Sequence, residues 1–299
     1  MYHIKEFLDY LKINHFSQST IKAYEYLLYN MKGYFTKRGI TYVKAFNESI
    51  INEYIKTLKN NNCQSRYFIT KIKRIAKYFR YLEDEGVIFL SPIRDIDIRP
   101  LPRHSYPTLS RKEIENILSM INTDTPLSIK GKAILELAYS SALRPREIYN
   151  LKVTDIDFIN GVLFIEQSKN RKDRKVPVGK TALYWIRKYI KEVRPRYIKG
   201  KKHGYIFINH KTGDKLTRYG IRSVIQKTLI RNKLPPIKPY SLRSTAATAL
   251  LLNGMSIVYI SSLLGHNDIR STQVYLKIKT HQLKRVLLKH HPRQSFGNI

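Results

Sequence analysis

The chain has 299 residues, which is enough to bury a sizeable core in one large or two ordinary domains. Its 55 Lys and Arg residues against 22 Asp and Glu leave a net charge of +33, which excludes the near-neutral surface of an ordinary enzyme. Such a charge indicates a polyanionic partner, of which nucleic acid is the first candidate. The single cysteine, Cys63, excludes an intramolecular disulfide and a thiolate metal cluster within one chain.

The N-terminal sequence MYHIKEFLDYLK carries charges where a signal peptide needs an apolar core. No apolar run approaches the ~18 residues of a membrane span. Aromatic residues are spread along the whole chain, which disfavours a lipid-docking helix. We therefore expect a cytoplasmic protein without membrane contact.

Residues 1–98 have the pattern of an all-helical module. Three apolar stripes recur at helical spacing, and the second is entered through Ser17 as an N-cap. The stripes are Ile4, Phe7, Leu8 and Leu11, then Ile21, Tyr24 and Leu28, then Ile72, Ile75, Ala76, Phe79 and Leu82. On the third helix, basic residues including Lys71, Arg74 and Lys77 fill the other faces, which fits either a solvated surface or a face that contacts a polyanion.

Residues 99–108 form the best domain boundary in the sequence. The segment RPLPRHSYPT contains three prolines and no apolar period, a composition typical of an extended linker. Ser110 and Glu113 then form a capping box that opens a helix. We predict domains at 1–98 and 109–299; the net charge is +6 over the first and +27 over the rest of the chain.

The second domain alternates helix and strand. A helix is predicted from about Lys132 to Arg144. The segment DFINGVLFIEQ then turns at Asn160-Gly161, SKNRKDRK forms a basic tip, and KVPV returns as a strand. The predicted fold class is therefore mainly α with a small antiparallel β-sheet, with an all-α first domain and an α+β second domain.

Residues 238–275 bring together side chains suited to chemistry. Arg243 opens an apolar run at helical spacing, which an Asn-Gly pair stops. A second helix ends at Gly265, where a left-handed C-cap belongs, so His266 emerges just beyond the helix. Tyr275 lies nine residues later in another short amphipathic piece.

Five motifs in this order resemble the tyrosine recombinases, the phage integrase family of site-specific DNA recombinases. That family carries an arginine in a T-G-L-R-x-x-E run, a lysine in a basic hairpin, H-x-x-R, L-L-G-H, and a tyrosine roughly nine residues on. The matching residues are Arg144 with Glu147, Lys169 in SKNRKDRKVPV, Arg243 in YSLR, His266 in LLGH, and Tyr275. Tyr240 stands where the family usually carries histidine. The resemblance covers nearly the whole chain and fits the compact, Xer-like type.

The resemblance implies a fold and an assembly. The first domain is expected to be the SAM-like core-binding domain that lies across one side of duplex DNA, and the second to be the catalytic domain. Four protomers would synapse two DNA sites, and the free protein is expected to be a monomer or dimer. The C-terminal segment QLKRVLLKHHPR, with Leu283, Val286 and Leu287 on one face, either packs on its own protomer or docks into a neighbouring one.

The resemblance also implies the chemistry of strand exchange. Tyr275 would hold the DNA phosphate as a covalent ester, because the bond energy must be kept until a second strand's hydroxyl displaces the tyrosine. Arg144 and Arg243 suit the two non-bridging phosphate oxygens, since guanidinium is planar, forked and permanently charged. Glu147 is expected to pair with an arginine and orient it.

Proton handling is assigned by the same resemblance. Lys169 matches the family's general acid, which protonates the departing 5′ oxygen, although Lys172 and Lys175 lie close enough to leave the register open. His266 is expected to hydrogen-bond the phosphate. Tyr240 can also donate to phosphate, but a phenol with a free pKa near ~10 accepts a proton less readily than imidazole at neutral pH. No cofactor or metal is expected, because arginines neutralise the charge that magnesium would otherwise neutralise.

Double-stranded DNA is the expected partner, and the need for an accessory protein stays open. The residues expected to contact DNA are Arg146, Lys71, Arg74, Lys77, Arg171, Lys172 and Arg174. Two other interpretations remain: a type IB topoisomerase, which shares the chemistry without a specific site, and a catalytically weak architectural DNA-binding protein. The pattern leaves open whether the role is chromosome dimer resolution, element integration or excision, or inversion.

Overall fold

The structure, a computed structural model, describes residues 2–60, 65–93, 107–166, 173–266 and 268–272. The chain divides into two compact units, Met1–Pro102 and Arg103–Ile299. Several predictions lie outside the described residues, namely those on linker residues 99–106, Lys169, Arg171, Lys172, Tyr275 and the segment 282–293.

The described part of the first unit is helical, as predicted. Its helices are α1 (Ile4–Ile13), α2 (Gln18–Thr36), α3 (Glu48–Asn60) and α4 (Ser65–Asp84). They share an apolar core rich in aromatic rings, where Phe7 packs edge-on against Tyr24 and Tyr78 with ring centroids 5.5 and 5.3 Å apart. Ser17 caps α2 by accepting the backbone N–H of Thr20.

Helix α3 is absent from the sequence-based prediction. Ile51, Tyr54 and Leu58 are buried along it at helical spacing, and the Asn47 side chain accepts the backbone N–H of Ile50 at the helix start. Both features are local helix signals. The sequence therefore contains local signals from which this helix could have been predicted.

The second unit combines helices with a small sheet, also as predicted. Its helices are α5 (Arg111–Ser119), α6 (Pro126–Ser140), α7 (Pro145–Asn150), α8 (Lys180–Lys188), α9 (Arg194–Tyr197), α10 (Arg218–Arg231), α11 (Pro239–Leu252) and α12 (Ile257–Leu264). Strands β1 (Ile156–Asp157), β2 (Val162–Ile165) and β3 (Arg174–Pro177) form an antiparallel sheet in that order. The predicted capping box opens α5, where Ser110 and Glu113 accept each other's backbone N–H groups. None of the described helices combines the length and the apolar character needed to cross a membrane.

Helix α6 is the central element of this unit. Pro126 occupies its first turn, so it starts earlier than the predicted Lys132. Every residue from Ser128 to Ala138 is buried, because α8, α10 and α11 pack around the helix. At Gly131 it approaches α10 so closely that an added Cβ would lie 1.9 Å from the Thr228 hydroxyl oxygen. This crossing therefore requires a glycine.

The sheet turns Arg174 toward the interior. The predicted turn is present between β1 and β2, where Gly161 adopts a φ of +65°. In the next pair, Leu163 lies opposite Val176 and Ile165 opposite Arg174. Arg174 and Val176 share one face of β3, because side chains alternate along a strand, and Val176 is fully buried.

Candidate active site

The turn between α6 and α7 positions Arg144 and Glu147. Helix α6 ends at Ser140, and Arg144 has an extended backbone with φ −72° and ψ 148°, not the helical one predicted. The cause is Pro145, which disfavours the helical conformation in the residue before it and then begins α7. Glu147 accepts the Arg144 backbone N–H at 2.8 Å, which fixes the two residues relative to each other.

Glu147 lies at the centre of a buried group of arginines. Its Oε1 accepts from Nη1 of Arg144 and Nη1 of Arg174, each at 2.9 Å, and its Oε2 accepts from Nη2 of Arg174 at 3.0 Å. Nη1 of Arg243 lies 3.9 Å from Oε2. Burial by itself raises the pKa of Glu147, but Arg174 and Arg144 outweigh it and hold that pKa below its ordinary value. The carboxylate is therefore charged at neutral pH and faces three guanidinium groups, where sequence reasoning expected one.

Arg174 belongs to this group, and its geometry argues against the predicted DNA contact. Its side chain is 10% exposed and bidentate on Glu147. Its Nε donates to the carbonyl of Leu263 at 3.0 Å. All three nitrogens of the guanidinium are thus bonded to groups of the protein, an arrangement that positions those groups.

The end of α12 has the predicted left-handed cap. Gly265 has a φ of +61°, and the N–H groups of Gly265 and of the next residue donate to the carbonyls of Ser262 and Ser261, the pattern of a Schellman motif. A helix leaves its last carbonyls without partners inside the helix. Here the carbonyls left over are those of Leu263, Leu264 and Gly265.

Each of these three carbonyls accepts a hydrogen bond from a different arginine. The bonds are Arg174 Nε to Leu263 at 3.0 Å, Arg243 Nη2 to Leu264 at 2.7 Å, and Arg144 Nη2 to Gly265 at 3.0 Å. Arg243 also donates from Nη1 to the carbonyl of Ala142 at 2.8 Å. A helix C-terminus carries partial negative charge and favours cations. The end of α12 thus gathers arginines from three distant segments of the chain.

His266 follows the cap directly and is held at both ring nitrogens. Nε2 lies 3.2 Å from Nη2 of Arg243, and Nδ1 lies 2.8 Å from the hydroxyl of Thr272. Because a guanidinium only donates, Nε2 is the acceptor and Nδ1 carries the proton that is donated to Thr272. Burial, followed by the charges of the three arginines, lowers the pKa of His266 to about 4, with Glu147 opposing them. The imidazole is therefore neutral at pH 7.

The arginine cluster, defined as Arg144, Arg174, Arg243, Glu147 and His266, is cationic. With the imidazole neutral, three guanidinium groups and one carboxylate leave a formal charge of +2. The Arg144 side chain is the most accessible of the three at 17% exposed, against 10% for Arg174 and 3% for Arg243. Within the part of the chain that the structure describes, Nη1 and Nη2 of Arg144 each make one bond, so other donors of the group remain for a ligand. Of the three arginines, Arg144 is therefore the most accessible to an anion that binds at the cluster.

The other predicted site residues lie around or away from this cluster. Tyr240 is 37% exposed and precedes Arg243 by one turn of α11, so it shares that face of the helix. Arg146 is exposed on α7. The basic residues of α4 belong to the first unit and have their cationic ends over aromatic rings. The pairs are Lys71 with Tyr67 at 4.6 Å, Arg74 with Tyr24 at 5.6 Å and Lys77 with Phe16 at 4.7 Å from the ring centroid.

Two participants were not recognised from the sequence in these roles. Thr272 carries no motif of its own and is identified only by its contact with His266. Arg174 had a usable signal, because it alternates with the buried Val176 on β3 while Lys175 between them is exposed. A period-of-two pattern therefore separates the inward arginine from the outward lysine.

Comparison with known proteins identifies the family. Residues 107–282 match the Phage integrase family, and residues 4–86 match the Phage integrase N-terminal SAM-like domain. The fold and these matches define a tyrosine-type DNA strand transferase, and the chain belongs to the phage integrase family. It is 32% identical over 295 residues to tyrosine recombinase XerD of Listeria monocytogenes, covering 97% of this chain and 98% of that protein. It is 30% identical over 303 residues to tyrosine recombinase XerC of Oceanobacillus iheyensis, covering 99% and 97%. The protein is therefore a site-specific recombinase of the Xer-like type.

A solved structure agrees on the fold. The Tn1549 transposon integrase in complex with transposon right-end DNA superposes with a TM-score of 0.74 at 17% identity, covering 97% of this chain and 99% of that chain. The predicted fold class is confirmed: mainly α with a small antiparallel sheet, in a SAM-like N-terminal domain and an α+β catalytic domain. The Xer relatives do not favour the topoisomerase or architectural alternatives.

Proposed function

We propose that this recombinase cuts and rejoins DNA through a covalent 3′-phosphotyrosine at Tyr275 and exchanges strands through a Holliday junction. The observation that carries the proposal is the arginine cluster, which brings Arg144, Arg243 and His266 together around one buried carboxylate. Negative charge grows on a phosphoryl group as it is transferred, so preorganised cationic donors stabilise the transition state. A cluster with an excess of two positive charges suits that reaction.

Burial divides the roles of the arginines. Arg144 is the principal phosphate ligand in this proposal, because it is the most exposed and keeps donors for a ligand. Arg243 is 3% exposed and already donates to two carbonyls, so its main contribution to phosphate binding is its positive charge. Glu147 and Arg174 are positioning residues. Each preorganised donor is expected to contribute about 3 kcal/mol to transition-state stabilisation.

Phosphate binding changes the protonation of His266. Without DNA, burial and the guanidinium charges lower its pKa to about 4. A phosphate anion beside Arg144 offsets part of that positive charge and favours the protonated imidazole. His266 can then share in holding and returning a proton at the phosphate. Lys169 is proposed as the general acid for the 5′ oxygen and Tyr240 as a hydrogen-bond donor to phosphate.

The assembly follows from the two domains. We assign residues 1–98 to DNA binding and 109–299 to catalysis, joined by the linker at 99–108 and acting as a tetramer on two duplex sites in the cytoplasm. The DNA bound by the Tn1549 integrase supports duplex DNA as the partner. Outside the cluster, the proposed DNA contacts are Arg146, Lys71, Arg74, Lys77, Arg171 and Lys172.

A nicked suicide duplex tests the chemistry. The recombination site is first located by sequencing genomic fragments that stay attached to the protein after denaturation. Wild type is expected to form a covalent complex that digestion and mass spectrometry map to Tyr275, and Tyr275→Phe is expected to bind without forming it. Tyr259→Phe, which alters an exposed tyrosine of α12, is the matched control. Covalent DNA on Tyr275→Phe would refute the assignment, and recombinant product from paired sites separates this activity from simple relaxation.

A further inference from the structure

The second unit contains a small cavity, away from the arginine cluster, whose polar lining is cationic. The cavity has a volume of about 80 Å³ and lies between α6, α10 and the segment that carries His210. Its titratable lining residues are Lys130, His210, Lys227 and Arg231, and among the residues that the structure describes none that lines it is acidic.

Lys130 is the buried member of this lining. It is 3% exposed, and within the described structure its ammonium has one acceptor, the carbonyl of Ile208 at 3.3 Å. An ammonium group has three donors, and a buried charge is stable only when it is paired or hydrogen-bonded. Burial and, to a smaller extent, the charge of Lys227 lower the pKa of Lys130 to about 8. At pH 7 the group is still mostly charged, so it is a buried cation with unmet donors.

A second lysine of the same helix shows how such a group is ordinarily satisfied. Lys132 is 6% exposed, but its ammonium lies 3.1 Å from the Glu136 carboxylate and also donates to the carbonyl of Leu118. Lys130 has no such carboxylate among the residues that share its cavity. Burial and the surrounding cations also lower the pKa of His210. The cavity therefore has a positive potential and no anion supplied by its own lining.

We propose that this cavity binds a small oxyanion of the phosphate class, with Lys130 as the buried ligand and Lys227, Arg231 and His210 around it. A volume of about 80 Å³ is several times the ~10–15 Å³ that a cavity needs to hold one water. It is far below the ~300–1,000 Å³ of pockets for drug-sized ligands. The space thus suits a single phosphate group, supplied either as a free ion or by the backbone of DNA.

The bound ion would connect three elements of the second unit. Lys130 lies on α6, Lys227 and Arg231 lie on α10, and His210 lies in the segment between α9 and α10. Helix α6 leads directly into the turn that carries Arg144. The anion therefore stabilises the packing on which the arginine cluster is built, independently of whether the cluster acts as proposed above.

Thermal unfolding with added anion tests the site. Inorganic phosphate at constant ionic strength is expected to raise the melting temperature of wild type saturably in the millimolar range, relative to chloride. Lys130→Met is expected to lose that increment, and Lys112→Met, which alters an exposed lysine of α5, to keep it. Should Lys130→Met fail to fold, Lys227→Gln and Arg231→Gln, at exposed positions of α10, are expected to weaken the anion response severalfold.

The NMR resonances of the His210 ring, assigned by comparison with His210→Gln, report directly whether the cavity is occupied. Phosphate is expected to shift them in wild type and raise the pKa of His210, because an anion offsets the cations that lower it. A shift with duplex DNA but not with phosphate, lost in Lys130→Met, supports the site and assigns its source to the DNA backbone. Equal stabilisation of wild type and Lys130→Met by phosphate overturns the proposal. So does the absence of a His210 response to both phosphate and DNA.

Discussion

The replacement Glu147→Gln tests whether the buried carboxylate organises the arginine cluster. The carboxylate accepts four hydrogen bonds, from the backbone N–H and Nη1 of Arg144 and from Nη1 and Nη2 of Arg174. Glutamine keeps the shape but has one acceptor oxygen, and its amide N–H groups would face guanidinium donors. The bonds to one oxygen are therefore lost, and the formal charge of the cluster rises from +2 to +3.

The expected effect is large because the carboxylate is only 6% exposed. Breaking a buried ion pair by neutralising one partner costs about 3–5 kcal/mol. We expect the free energy of unfolding to fall by that amount. The displaced arginines should also slow cleavage by about 100-fold or more, since ~1.4 kcal/mol of transition-state stabilisation corresponds to a factor of ten. DNA affinity should hold or rise, because the variant removes a negative charge beside the phosphate.

Urea unfolding followed by circular dichroism, together with single-turnover cleavage of the suicide duplex, measures both effects. The matched control is Glu115→Gln, because Glu115 pairs with Arg111 at 2.7 Å on the exposed surface of α5, with side chains 55% and 76% exposed. An exposed pair contributes less than ~1 kcal/mol. Wild-type cleavage by Glu147→Gln, with the same urea midpoint as the control variant, would refute the reasoning.

Three further predictions concern individual members of the site. Arg174→Lys keeps the charge but loses the bidentate bond and the bond to the Leu263 carbonyl, so cleavage should fall by about 10-fold or more. The DNA affinity of Arg174→Lys should stay near that of the control Lys175→Met. If Arg174 instead contacted a DNA phosphate at the surface, Arg174→Lys would bind DNA more weakly and with a shallower dependence on salt. For His266, the folded pKa of about 4 lies below the unfolded value of 6.5. The free energy of unfolding should therefore fall by up to about 3 kcal/mol as pH drops from 6.5 toward 4. Urea titrations should show a smaller fall over this pH range for His266→Gln. Equal falls for the variant and wild type would contradict the buried neutral imidazole. Tyr240→His, at a position 37% exposed, should still form the covalent complex on the suicide duplex, and complete loss would show that the motif is misaligned.

Local sequence signals predicted the parts of the fold that have local causes. The capping box of Ser110 and Glu113, the N-cap at Ser17 and the glycine cap at Gly265 are each made by residues within a few positions of one another. Pro145 is the same kind of signal. It could have placed Arg144 outside a helix, because a residue before proline is disfavoured in the helical conformation.

The arrangement of the arginine cluster could not be read in this way, because its contacts span long stretches of chain. The bond from Arg174 to Leu263 joins residues 89 positions apart, and that from Arg144 to Gly265 joins residues 121 apart. Motif order predicted that some of these residues act together. Motif order did not show that Glu147 contacts three arginines, or that backbone carbonyls accept hydrogen bonds from them. Neither feature leaves a periodic or compositional pattern in the sequence.

The segment from Leu263 to His266 explains how the cluster assembles before any phosphate arrives. Leu264 is fully buried in the small apolar cluster formed with Ala142 and residues of α11, which fixes the end of α12. Gly265 supplies the left-handed turn, and an added Cβ there would lie 3.0 Å from Nη1 of Arg174, so glycine also leaves room for the guanidinium. The carbonyls of this helix end then accept one hydrogen bond from each of the three arginines, and the helix dipole adds to the attraction. Most of this motif therefore acts through its backbone, and one turn of chain orients three cations while the folded protein is still free of DNA.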